Sequence, residues 1–205
     1  MNTIRYLALG DSYTIGEGVT ERERFPNQMA QKLQENGILV SSPKIIAKTG
    51  WTSKELLEAM EAEQIHQQVF DLVSVLVGVN NQYRGLPLEE YRLEFGELLR
   101  QAIHLVDGNS NRVFVLSIPN WGVTPFAKND RRPSKQITEE IRLFNETNHR
   151  VADFLNCPYV DISSGYQLEG HLPENLTIDQ LHPSGEMYAK WADLLYSAVK
   201  KTFGK

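Results

Sequence analysis

Three side chains in this sequence are of the types that acyl transfer requires. Ser12 follows the apolar run Tyr6-Leu7-Ala8-Leu9, within Gly10-Asp11-Ser12-Tyr13-Thr14 and ahead of the glycine-bearing Ile15-Gly16-Glu17-Gly18. A serine placed where a buried strand ends, with a glycine before it to admit a tight turn, has the setting of a nucleophile. Its hydroxyl attacks only when a base takes its proton, so the chain must also supply a base, a group to orient that base, and donors for an oxyanion. Asp179-Gln180-Leu181-His182-Pro183-Ser184, about 170 residues downstream, offers the first two. An aspartate three residues before a histidine, around one turn, can set its carboxylate against Nδ1, fixing the tautomer and leaving Nε2 outward. Taken singly, a serine at a turn or an Asp-x-x-His pair is ordinary turn structure. Together they call for a fold that brings them to one place.

The hydrophobic pattern describes such a fold. Residues 4–9 read as a short buried strand, and Pro26 opens a helix that Asn36-Gly37 closes. A second strand spans 38–47 with a proline inside it, and Thr52 or Ser53 caps a helix over Lys54–Gln64. Val69–Val79 is apolar with little alternation, as in a strand covered on both faces of a parallel sheet, and it runs into Gly78-Val79-Asn80-Asn81. The helix Pro87–Val106 carries apolar residues at spacings of three and four. A strand over Val113–Ile118, a long loop from Pro119 to Pro133 and a helix over Ile137–Leu155 follow. The strand Tyr159–Ile162 and a terminal helix from about Ser184 to Lys201 complete the chain, Pro183 and Ser184 suiting the helix entry. Strands alternating with helices imply an α/β fold with a parallel sheet, helices on both faces and right-handed crossovers. Sites in such folds gather at the C-terminal ends of strands, which selects Ser12, Gly50 and Asn80 together.

Composition bounds the function. The chain of 205 residues is expected to form one domain over 1–205, with 41% apolar and 23% charged residues, ordinary globular usage. A net charge of −5 gives no general attraction to nucleic acid or anionic lipid. The one dense basic stretch, Lys128, Arg131, Arg132 and Lys135, reads as a solvated loop. One cysteine, Cys157, excludes a disulfide framework and a cysteine-rich zinc site, and it reads as a buried small residue. No two-histidine motif with a carboxylate supports a metal site, and no cofactor is expected. Neither a secretory leader nor a membrane-spanning run is legible, so the cytoplasm is the expected compartment, without stable membrane insertion. Nothing in the sequence bears on oligomeric state.

Gly10-Asp11-Ser12-Tyr13-Thr14, the downstream Gly50, the run Gly78-Val79-Asn80 and Asp179-x-x-His182-Pro183 resemble, in order and spacing, the blocks of the SGNH (GDSL-type) hydrolases. The resemblance covers essentially the whole chain. It implies a three-layer α/β/α sandwich with a central parallel sheet, the flavodoxin-like fold of that family. It also implies a carboxylic ester hydrolase of esterase or lipase type, with Ser12 as nucleophile, His182 as general base and acid and Asp179 as orienter. The backbone amides of Ser12 and Gly50 and the side-chain amide of Asn80 would form the oxyanion hole. Trp51, Tyr83, Trp121 and Leu181 are expected to line the substrate cleft, with Phe126 and the Pro119–Pro133 loop as a cover for it. The family block usually continues with an aspartate where this chain has Asn81, a position expected to hold loop backbone rather than to move protons.

Small acyl esters, acetylated sugars, lysophospholipids and thioesters all suit such a site, and an acyltransferase on the same fold is the near neighbour. A nucleotide- or phosphate-binding α/β module is the other class weighed. Gly10–Gly18 lacks both phosphate-loop spacings, and Asp11 and Glu17 would repel an anion. The missing closing glycine of a nucleophile elbow argues against the α/β-hydrolase fold.

Overall fold

The structure, a computed structural model, describes residues 3–203. Its sheet is made of β1 (Tyr6–Gly10), β2 (Lys44–Ala47), β3 (Leu72–Leu76), β4 (Val113–Leu116) and β5 (Tyr159–Val160) in the order β2-β1-β3-β4-β5, every pair parallel. β1, β3 and β4 are buried at every position, so their sequences are continuous apolar runs with no polar face. The one hydroxyl inside β3, on Ser74, is satisfied by Tyr6 Oη at 2.7 Å.

The helices are α1 (Ser12–Ile15), α2 (Phe25–Glu35), α3 (Ser53–Ala62), α4 (Val79–Tyr83), α5 (Leu88–Leu105), α6 (Ser134–Phe154), α7 (Ser163–Glu169) and α8 (Gly185–Phe203). The crossover from β1 to β2 runs in the opposite direction from those that lead to β3, β4 and β5. Right-handed connections therefore put α2 on one face and α3, α5 and α6 on the other. The packing agrees: α8 lies on α2, β4 and β5, while α3 packs on α5 and α5 on α6. The architecture is thus the three-layer α/β/α sandwich that the sequence implies. α5 shows how it is held: Tyr91, Phe95, Leu98, Leu99, Ala102 and Leu105 form one buried stripe, each large member contributing about 1.5–3 kcal/mol by leaving water.

Two glycines let the strand ends approach one another. A Cβ on Gly10 would lie 2.1 Å from Thr14 Oγ1 and 2.4 Å from the Leu76 carbonyl, so no side chain fits where β1 passes β3. Gly78 has φ 129°, and a Cβ there would meet Tyr91 Oη at 2.4 Å.

Several boundaries differ from the sequence expectation. The strand over 38–47 contracts to Lys44–Ala47, because Pro43 has no N–H for a ladder, and Val40 forms only an isolated bridge to Ile4. The Val69–Val79 run pairs only over Leu72–Leu76, since Gly78 turns the chain and Val79 opens α4. The expected strands at 4–9 and 159–162 shift or shorten to Tyr6–Gly10 and Tyr159–Val160. α6 starts at Ser134 rather than Ile137. α1, α4 and α7 are absent from the sequence reading, because helices of 4, 5 and 7 residues are too short to display a period. Thr52 is the cap of α3, in a reciprocal box with Glu55.

Candidate active site

The chain leaves β1 toward β2 and then crosses back to β3, so the crevice above the C-terminal ends of β1 and β3 is the topological switch point. Ser12 stands there as the first residue of α1, and Asp11 caps the turn by accepting from the Tyr13 amide at 3.0 Å. The other carboxylate oxygen of Asp11, Oδ2, is buried without a partner among the described residues. Burial raises this carboxyl to about 7, against the pull of the backbone amides around it.

Asp179 and His182 lie in the segment between α7 and α8. An antiparallel bridge between Leu176 and Pro183 and a bond from the Thr177 amide to the His182 carbonyl at 2.8 Å close this segment into a turn. At its tip Gln180 takes φ 61°, left-handed for a residue that is not glycine, a conformation that costs about 1 kcal/mol and persists only where its surroundings hold it. Those surroundings are the Phe126 amide on the Gln180 carbonyl at 3.2 Å and the Tyr166 hydroxyl on the Leu181 carbonyl at 3.0 Å. The turn folds Asp179 back on its own chain. Its Oδ1 accepts from the Leu181 and His182 amides, each at 2.9 Å, and from the Thr177 hydroxyl at 2.8 Å. Oδ2 faces His182 Nδ1 at 2.6 Å. Partial burial works to raise the carboxyl, but the His182 ring, the two amides and the Thr177 hydroxyl outweigh it and hold it at about 2. An ionised Asp179 requires the proton on Nδ1, which leaves the lone pair on Nε2. The Tyr13 ring, 5.5 Å from the imidazole, packs on it from the Ser12 side.

The donors come from two further strand ends. Gly50 follows β2 with φ 87°, and its carbonyl is gripped by Arg84 Nη2 at 2.5 Å. Asn80, in α4, donates from Nδ2 to the Trp51 carbonyl at 2.9 Å. An amide nitrogen carries two protons, so one remains unused. The backbone amides of Ser12 and Gly50 likewise donate to no other group among the described residues. Asn81 is buried and acts on backbone: its Oδ1 accepts from the Ser53 amide at 3.0 Å, and Nδ2 donates to the Ser53 hydroxyl at 2.8 Å.

Ser12, Gly50, Asn80 and His182 line one cavity of about 180 Å³. Tyr83, Trp121, Leu181 and Phe126 line it as well. Trp51 does not, and its contribution is the main-chain oxygen that holds Asn80. Tyr13, Thr49 and Val79 complete the lining. The sequence reading missed these three, although each adjoins a residue that it singled out: Ser12, Gly50 and Asn80.

The Pro119–Pro133 segment is not a loose cover. It forms two 3-10 turns, Trp121–Val123 and Pro125–Asn129, and Trp121 is fully buried. Arg132, expected in a solvated stretch, is instead paired with Asp130 and Glu140, both at 3.0 Å. Such carboxylates outcompete water for a guanidinium when they approach it from two sides. Cys157 is buried, and burial pushes its thiol up to about 12. No helix among the described residues is long and apolar enough to cross a membrane.

The profile of the GDSL-like Lipase/Acylhydrolase family matches residues 8–190. The spore germination lipase LipC of Bacillus licheniformis is 23% identical, with 96% of this chain and 96% of that protein covered. A psychrotrophic esterase, EstA, from Pseudoalteromonas sp., whose structure was solved inhibited by monoethylphosphonate, superposes with a TM-score of 0.75 at 16% identity, covering 98% of this chain and 99% of its own. A lipase/acylhydrolase from Enterococcus faecalis also gives a TM-score of 0.75, at 20% identity, covering 98% of this chain and 97% of its own.

Proposed function

The chain belongs to the GDSL-like lipase/acylhydrolase family, and from that premise we propose that it hydrolyses carboxylic esters of small molecules through an acyl-enzyme on Ser12. His182 Nε2 takes the Ser12 proton as Oγ attacks the ester carbonyl. Asp179 keeps the imidazole in the tautomer that can do so and stabilises the imidazolium that results. The carbonyl oxygen, now negative, receives hydrogen bonds from the Ser12 and Gly50 amides and from the second proton of Asn80 Nδ2. The imidazolium then protonates the departing alkoxide. Water repeats the cycle on the acyl-enzyme, with His182 again as base, and releases the acid.

The observation that carries this reading is the shared cavity. A serine, a histidine backed by an ionised carboxylate, and three unused N–H donors from separate strand ends converge on about 180 Å³. The walls favour an acyl group over a phosphate, since no lysine or arginine among the described residues lines the cavity.

A serine-directed fluorophosphonate tests the reading. Stoichiometric labelling of the wild type, absent in Ser12→Ala together with ester turnover, is the expected outcome. An active wild type that takes up no label sinks it. A panel varying acyl group and alcohol, run with and without added alcohol acceptors, separates hydrolysis from acyl transfer.

A further inference from the structure

Trp121 is a pocket wall that the rest of the molecule holds still. Its Nε1–H donates to Gln82 Oε1 at 2.8 Å, and Gln82 Nε2 donates to Glu140 Oε2 at 2.6 Å. Arg132 Nη1 reaches the same Glu140 oxygen at 3.0 Å, while its Nε and Nη2 grip Asp130, each at 3.0 Å. The guanidinium carbon lies 5.5 Å from the Trp121 ring centre and 5.8 Å from that of Tyr83, and the two rings meet edge to face at 5.5 Å. Gln82, 2% exposed, precedes Tyr83 in sequence and bonds both Trp121 and Glu140.

The buried Gln82 amide and Trp121 indole N–H are costly unless each is matched, and the half-buried Arg132 and Glu140 complete the network. Here each is matched, and the consequence falls on two aromatic rings that face the cavity. A segment of 15 residues between Pro119 and Pro133 would by default be mobile. Fixed in this way, it gives the cavity an end that does not yield. The cavity of about 180 Å³ is also smaller than the roughly 300–1,000 Å³ that drug-sized ligands occupy.

We propose that Trp121 is the specificity-determining residue of the pocket, locked by Gln82 and Arg132 as positioning residues, and that it closes the acyl end so that short acyl chains are preferred. The proposal rests on the Ser12 acyl-enzyme reading. The acyl rather than the alcohol portion is assigned to this wall because the acyl group stays on Ser12 through both half-reactions. The alcohol must leave before water can enter. Tyr13, Val79, Tyr83, Trp121, Phe126 and Leu181 offer the apolar receptor that a retained chain needs.

The test is kcat/KM for p-nitrophenyl esters from acetate to laurate on wild type, Trp121→Ala, Trp121→Leu, Trp121→Phe and Gln82→Met, with active sites counted by fluorophosphonate. In the wild type kcat/KM rises about fourfold per added methylene until the pocket is full, then falls. Trp121→Ala or Trp121→Leu moves that break to longer chains, changing the preference between a short and a long ester by tenfold or more. Trp121→Phe keeps a ring but loses the N–H that Gln82 holds, so it blurs the break as Gln82→Met does without moving it to longer chains. Gln82→Met, with the wall unlocked, blurs the break and raises KM for the best short ester more than it lowers kcat. A labelled, folded Ala or Leu variant with an unmoved break overturns the proposal. So does a shift seen only when the alcohol is lengthened on a fixed acetyl group. Failure of the wild type to label overturns the acyl-enzyme reading itself, which distinguishes the two failures.

Discussion

Asn80 Nδ2 donates to the Trp51 carbonyl at 2.9 Å, and this bond fixes the plane of the amide that leaves its second proton for the cavity. The bond also explains why a tryptophan outside the lining belongs to the site: its backbone, not its ring, does the positioning. Asn80→Ala is expected to lower kcat by about 10²–10³ with little change in KM, the usual cost of one oxyanion donor. Steady-state kinetics on the best ester measures it. Equal losses in KM alone would mean that the amide binds ground state and transition state alike.

The Asp179 carboxylate should control the tautomer of His182. Asp179→Asn keeps the shape of the turn but presents a donor to Nδ1, and a fall in kcat on the order of 10⁴ is expected. The same carboxyl, held at about 2, contributes stability that is present above its ordinary value near 3.8 and is lost as pH falls through about 2. Urea melts between pH 5 and 2 should show the wild type losing more stability than Asp179→Asn. Parallel curves would contradict the assignment.

Asp11 should give stability the opposite pH slope. Its carboxyl is raised to about 7 by burial, so the folded chain binds that proton more tightly than the unfolded one. Stability is therefore full below about pH 4 and falls as pH rises through about 7, by at most about 4 kcal/mol at roughly 1.4 kcal/mol per pKa unit. Asp11→Asn keeps the oxygen that caps Tyr13 and removes the titration. Its stability relative to wild type should climb between pH 4 and 7, and a constant difference would rule out the buried neutral acid.

Restoring the family's aspartate at 81 should cost stability in this chain. Asn81 Nδ2 donates to the Ser53 hydroxyl, which itself donates to Glu94 Oε2 at 2.5 Å. An aspartate there needs the single Ser53 proton that Glu94 already takes, leaving one carboxylate oxygen unmatched. Asn81→Asp is expected to destabilise by about 1–3 kcal/mol at neutral pH and to recover part of that loss below pH 5, where one carboxyl holds a proton. Turnover should change little. Ser53→Ala combined with Asn81→Asp, compared with each single variant, isolates the coupling.

What the sequence determined by itself was whatever is carried by local pattern. Unalternated apolar runs announced strands buried on both faces, three-and-four spacing announced α5, and Asp179-x-x-His182 lay within reach of one turn, where three intervening peptide bonds limit the geometry. The order of blocks along the chain indicated the family and hence the sandwich. Tertiary structure alone decided which groups meet across long separations. Trp51 gives an oxygen where a ring was expected, because the turn after Gly50 faces its backbone toward α4. Arg132 is no solvated charge, because Glu140 on α6 and the rings of Tyr83 and Trp121 reach it from three segments. The unpaired Oδ2 of Asp11 was equally hidden, since burial is a property of everything packed around a side chain and of none of its neighbours in sequence. Local spacing restricts what a few residues can do; the cavity, its fixed wall and its electrostatics come from contacts whose separation along the chain leaves no period to read.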